Sequence, residues 1–162
     1  MAENEPSRTD DGRYLVIDGR RWRASDPAIP EPLRQELVAE LMAARRDVRT
    51  EAETARPRVQ DAKVALGERG DPWWQPTPDG QRERLAATIR ALLRHRAETA
   101  TICPSDAARV VGGERWRELM DTARDVAAEL VEQGTIVAQQ QGKVVELNGA
   151  RGAIRLARGP RW

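Results

Sequence analysis

Between Arg82 and Arg158 apolar spacing and glycine stops alternate in an order that few small architectures accept. Leu85, Ile89, Leu92 and Leu93 mark the inner stripe of a helix from about Gln81 to Ala97. Thr99 to Cys103 reads as a short extended piece. Pro104 at a first helical position, with Ser105 and Asp106 placed to receive exposed N–H groups, then starts a short helix that Gly112-Gly113 ends. A third helix is expected from about Glu114 to Gln133, with Trp116, Leu119, Met120, Ala123, Val126, Ala127, Leu130 and Val131 inward and Gly134 as its stop. Ile136 to Gln139 and Lys143 to Leu147 pair across a Gln-Gln-Gly turn, and Ile154 to Ala157 is expected to add a third strand.

Three helices followed by a hairpin is the order of a winged helix-turn-helix, here over residues 81–158, with a tail at 159–162 that leaves Trp162 mobile unless it folds back. The front of the chain predicts a separate unit over residues 13–74. Tyr14 to Ile17 and Arg20 to Ala24 form a β-hairpin around Asp18-Gly19. Such a hairpin is not stable alone and needs a helix against its apolar face. Leu33, Leu37, Val38, Leu41, Met42 and Val48 recur at helical spacing, and a second helix is expected from Pro57 to about Arg69, stopped by Gly70. Residues 1–12 are polar and acidic, so they are expected as a disordered arm, and residues 75–80, with two prolines and a glycine, as a linker. The fold class is therefore α+β, mainly α with small β elements.

Charged residues make up 33% of the chain and hydrophobic ones 40%, with no apolar run of membrane-spanning length. With no signal-peptide block either, a cytoplasmic protein is expected, and the single cysteine, Cys103, which allows no internal disulfide, is compatible with a reducing compartment. The net charge is only +1, but the first half is net acidic and the second net basic. The basic residues are arginines apart from Lys63 and Lys143.

Three stretches carry a family resemblance: PSDAARVVG at Pro104 to Gly112, WRELM at Trp116 to Met120, and ARGAIRL at Ala150 to Leu156. They resemble the bacterial winged-helix-like family called domain of unknown function 3253, over roughly the last half of the chain. The family pattern more often reads Arg-Gly-Pro where this chain has Arg151-Gly152-Ala153. WRASDP at Trp22 to Pro27 and DAKVALGERGDPWW at Asp61 to Trp74 are similar to stretches of small uncharacterised proteins from high-GC bacteria. The resemblance implies a fold and brings no activity.

Winged helices commonly set the third helix in the major groove of duplex DNA. Here that helix carries Arg115, Arg117 and Arg124 against Glu114, Glu118, Asp121, Asp125, Glu129 and Glu132, which phosphates repel. Positive charge falls instead on the first helix (Arg82, Arg84, Arg90, Arg94, Arg96) and on the wing and tail (Lys143, Arg151, Arg155, Arg158, Arg161). If these share a face, Arg82, Arg90, Lys143, Arg151 and Arg155 can hold a phosphate backbone while Arg115 and Arg117 reach a base edge. A non-enzymatic, DNA-binding or transcription-linked regulator is the leading expectation. The rival is a protein adaptor that uses the acidic third helix and the Trp73-Trp74 corner. One continuous basic face would favour DNA; arginines paired to nearby acids would favour the adaptor.

With no phenylalanine in the chain, Trp22 and Trp116 are expected in the core, and one of Trp73 and Trp74 is expected exposed, as a dock for a partner or for the winged helix. Cys103 at a helix start has the placement of a reactive thiol, but a small buried residue is the simpler expectation. The sole histidine, His95, lies between two arginines near a helix end, where terminal carbonyls are its natural partners. No metal-ligand spacing, cofactor motif or catalytic set is present, and Gly112-Gly113 lacks the lysine of a phosphate loop.

Overall fold

The central helix of the protein has apolar residues on more than one face, and the rest of the molecule is arranged to cover them. A computed structural model describes residues 5–162. It is an α+β fold of helices and two small antiparallel sheets. Helix α1 spans Glu31–Asp47, α2 Ala52–Ala65, α3 Pro78–His95, α4 Pro104–Gly112 and α5 Met120–Glu132. In α3, Arg84, Leu85, Ala87, Thr88, Ile89, Ala91, Leu92 and Leu93 are all buried. A single amphipathic stripe would bury fewer positions, so α3 needs cover on more than one side. It packs against α1, α2, α4 and α5. The apolar core is accordingly continuous, running from Leu37 and Leu66 through Leu85, Ile89 and Leu92 to Val126, Ile136 and Leu156.

The expected linker is shorter than its composition suggested, because Pro78 to Gly80 form the first turn of α3. Pro78 sits where no backbone N–H is needed, and the Thr77 hydroxyl accepts the Gly80 N–H at 3.1 Å. Asp71 in turn accepts the Thr77 amide at 2.9 Å and the Thr77 hydroxyl. These two donors hold the Asp71 carboxyl below the usual carboxylate range. Their contribution is present above the unfolded-state pKa and is lost as pH falls through the lower folded value. The Asp71 side-chain carbon should titrate by NMR below an ordinary aspartate, and Thr77→Val should move it back up; an ordinary midpoint in the parent protein would contradict the bond.

Helix α2 starts at Ala52, ahead of the expected Pro57, which lies inside it. The proline removes one helical donor. Buried Ala55, Ala62 and Ala65 nevertheless pack α2 against α1 and α3. Arg58 ties the pair together, donating to Glu40 at 2.8 Å and Asp47 at 2.7 Å. At the end of α2, Gly67 has φ +81°, and a Cβ there would lie 3.2 Å from the Trp73 ring and 3.3 Å from Asp26 Cβ. Only glycine combines that backbone with so close an approach.

The expected third helix is divided. Gly113–Leu119 forms a 3-10 helix, Arg115 departs from helical angles (φ −93°, ψ 17°), and α5 begins at Met120. Glycine is required just before it: a Cβ on Gly113 (φ +55°) would lie 2.9 Å from Ala28 Cβ, and one on Gly112 3.0 Å from the Leu119 side chain. A three-residue repeat puts Trp116 and Leu119 on one side, and both pack on the core.

The first sheet joins β1 (Ser7–Arg8), β2 (Tyr14–Ile17) and β3 (Arg20–Arg23) in that order. Part of the expected disordered arm is thus a strand. Its turn is closed by Asp11, which accepts the Thr9 hydroxyl at 2.6 Å and the Arg13 amide at 3.0 Å. Residues 1–4 of that arm lie outside the described residues. The second sheet, ordered β5-β4-β6, contains β4 (Ile136–Gln140), β5 (Lys143–Val145) and β6 (Arg155–Arg158). Strand β6 also bridges Ile102, which donates to Leu156 O at 2.9 Å and accepts the Leu156 amide at 2.7 Å. The tail is pinned, not free: Gly159 N donates to Thr135 O and Arg161 N to Gly134 O, each at 2.9 Å, and the Arg94 and Arg158 guanidiniums lie 5.7 and 5.2 Å from the Trp162 ring.

Candidate nucleic-acid interface

Each arginine of α3 projects from a helix surrounded by other elements, and the structure gives each an internal acceptor. Arg84 is buried and donates to Asp26 at 3.0 Å, to Ala65 O at 3.0 Å and to Val110 O at 3.3 Å. Burial pushes its guanidinium pKa down, and Asp26 opposes the shift. Arg90 grips Asp61 with two bonds of 2.9 and 2.8 Å, and Arg94 reaches the same carboxylate. Arg96 grips Glu36 at 2.8 and 3.0 Å and lies 3.5 Å from Asp106. The Glu36 bonds raise the Arg96 pKa. Arg82 pairs with Glu129 of α5.

The basic face expected across this helix is therefore not free. For Arg90 a phosphate would have to displace the largely buried Asp61 carboxylate, whereas Arg82 meets Glu129 in an exposed and weaker pair.

On the 3-10 segment, Arg115 forms an exposed i,i+3 pair with Glu118, at 3.2 and 2.7 Å. Such a pair is weak and opens readily. Arg117 and Arg109 lie 4.5 and 4.6 Å from the Trp116 ring, so the expected core tryptophan is only half-buried and carries cations over it. Arg155 is anchored on Thr101 through its hydroxyl at 2.9 Å and its carbonyl at 3.0 Å.

Lys143 and Arg151 are exposed, and Gln140 links their backbones. Gln140 opposes Lys143 in the sheet and donates to Arg151 O at 2.7 Å. Arg124 of α5 joins them by donating to Gly152 O at 2.9 Å, a contact its sequence position on an acidic helix did not signal.

Trp73 and Trp74 are both half-buried. The Trp73 indole N–H donates to Ala24 O at 3.0 Å, and its ring borders a small cleft with Arg84 and Val111. Trp74 meets Tyr14 edge-on at 5.6 Å, with the Arg13 guanidinium 4.8 Å from its ring. The corner is thus the seat of the first sheet. Trp22, expected in the core, is 44% exposed, because that sheet meets the molecule through its Tyr14 face and leaves the Trp22 face outward.

Cys103 is half-buried at the start of α4, where its amide donates to Asp106 at 3.0 Å. His95 is exposed in the last turn of α3. Among the described residues no group of three His, Cys, Asp or Glu could hold a metal, and no helix is long and apolar enough to cross a membrane.

Residues 82–159 match the family described as Protein of unknown function (DUF3253). The match begins within α3 and ends just after β6, close to the limits expected for the winged helix, and covers slightly under half of the chain. No curated protein matches the chain. The DUF3253 segment contains every arginine of α3 but not the carboxylates of Asp26, Glu36 and Asp61 that hold Arg84, Arg96, Arg90 and Arg94.

Proposed function

We propose that this protein is a non-enzymatic, winged-helix adaptor in nucleic-acid-linked regulation, cytoplasmic, whose C-terminal half contacts a basic protein surface. The order α3, Ile102, α4, α5 and the β4–β6 sheet, with Ile102 bridged to β6, supports the winged-helix description. The pairing of the α3 arginines with carboxylates carries the functional reading, because it withdraws the charge on which a phosphate-backbone contact would rest. On α5, Asp121, Asp125 and Glu132 are exposed, and its last turn holds no basic residue. A basic partner complements that surface.

The exposed Lys143 and Arg151 of the wing, with Arg124 donating to Gly152 O, favour duplex DNA as a second reading, limited to non-specific backbone contact. A salt titration against random duplex DNA, beside a lysine-rich peptide, separates the two. The adaptor reading expects peptide binding that weakens in Asp121→Asn/Asp125→Asn and no duplex binding at low ionic strength. Salt-sensitive duplex binding that vanishes in Arg115→Ala/Arg117→Ala would overturn it.

A further inference from the structure

The first sheet holds a local group of arginines without carboxylate partners, at the opposite end of the chain from the family match. Arg8, Arg13, Arg20, Arg21 and Arg23 form no salt bridge among the described residues, in contrast to those of α3. Most of them lie beside aromatic rings instead. The Arg20 guanidinium is 4.7 Å from the Trp22 ring, Arg21 5.5 Å from Tyr14, and Arg13 4.8 Å from Trp74. The acids of the segment lie outside its strands: Asp10, Asp11 and Asp18 occupy turns, and Glu5 precedes β1, beside Ile17.

Strand alternation sorts these residues onto two faces. Tyr14 and Arg23 oppose each other and face Trp74. The other face carries the cross-strand row Arg8, Leu15 and Trp22, followed by the pair Ile17 and Arg20. Trp22 is 44% and Ile17 42% exposed, and among the described residues no helix makes an extensive contact with this sheet.

We propose that this outer face of the N-terminal sheet binds single-stranded nucleic acid, with a base stacking on Trp22 and phosphates held by Arg8 and Arg20. The occupant has to be anionic to answer the unpaired guanidiniums and to offer planar apolar groups to the exposed indole. Single strands satisfy both, because their bases are free to splay onto a sheet. In a duplex the bases are stacked inside, out of reach of a flat three-stranded face. Strand β3 is a sheet edge, so an acidic peptide is the competing occupant. The site is independent of the C-terminal adaptor reading, sharing no residue with it.

The test is fluorescence anisotropy of a labelled oligothymidylate on the full chain, with polyglutamate and a random duplex as competitors. Trp22→Ala should weaken oligothymidylate binding about tenfold or more, within the range of a lost base–aromatic stack. Trp22→Phe should retain most of the affinity. Arg8→Gln/Arg20→Gln should weaken binding and flatten its salt dependence. Trp22 is exposed, so an unchanged melting temperature in Trp22→Ala separates lost binding from lost folding. Binding that ignores Trp22→Ala, equal competition by polyglutamate, or equal competition by duplex would each overturn the proposal.

Discussion

The full chain, with its continuous core, is expected to unfold in one cooperative transition, and a fragment of residues 77–162, which keeps the whole family match, is expected to lose it. Helix α3 is the reason. Its buried residues pack on α1 and α2 as well as on α4 and α5, so the cut exposes apolar side chains that have no other cover. Each square ångström of apolar surface returned to water costs roughly 25 cal/mol. The same cut removes Asp26, Glu36 and Asp61 and strands the guanidiniums of Arg84, Arg90, Arg94 and Arg96. Urea unfolding followed by circular dichroism, with dye binding as a reporter of exposed apolar surface, checks this. The expected fragment retains helix, binds the dye and melts broadly. A fragment that unfolds sharply at the midpoint of the full chain would mean that the two halves fold independently.

Arg84→Met should be the most damaging single substitution at the junction between those halves. Arg84 joins Asp26, the end of α2 through Ala65 O, and α4 through Val110 O, in a buried setting. Removing it leaves a carboxylate and two carbonyls short of a donor. Breaking a buried ion pair from one side costs about 3–5 kcal/mol, whereas replacing both partners with apolar groups of similar size is often near neutral. Urea midpoints should therefore fall steeply in Arg84→Met and recover substantially in Arg84→Met/Asp26→Leu. If the double variant is no better than the single one, the loss comes from packing or from the carbonyls, and not from an isolated charge.

Those two expectations mark where the sequence was readable. Helix α3 was legible from Leu85, Ile89, Leu92 and Leu93, as was the short α4 from Pro104 and the glycines after it, because periodicity and stops are local. The third strand at β6 was legible to within one residue. Long-range partnership was not. Nothing near Arg90 in sequence shows that Asp61 accepts it, and helix-one arginines read as a free surface until α2 is laid against them. Trp22 was misplaced for a related reason. Its neighbours Arg20, Arg21 and Arg23 were visible, but the choice between the two faces of a hairpin depends on where Trp74 docks, fifty residues later. Nor did the spacing of Trp116 and Leu119 separate a 3-10 segment from an α-helix, since both patterns put them on the core side.

Asp61 restrains both Arg90 and Arg94, which gives one position unusual leverage over the electric field of this side of the molecule. Losing that carboxylate would remove one negative charge and unleash two positive ones together. A single codon thus sets how much positive charge this surface offers to polyanions, and related chains that differ at this aspartate should differ in what they collect from solution.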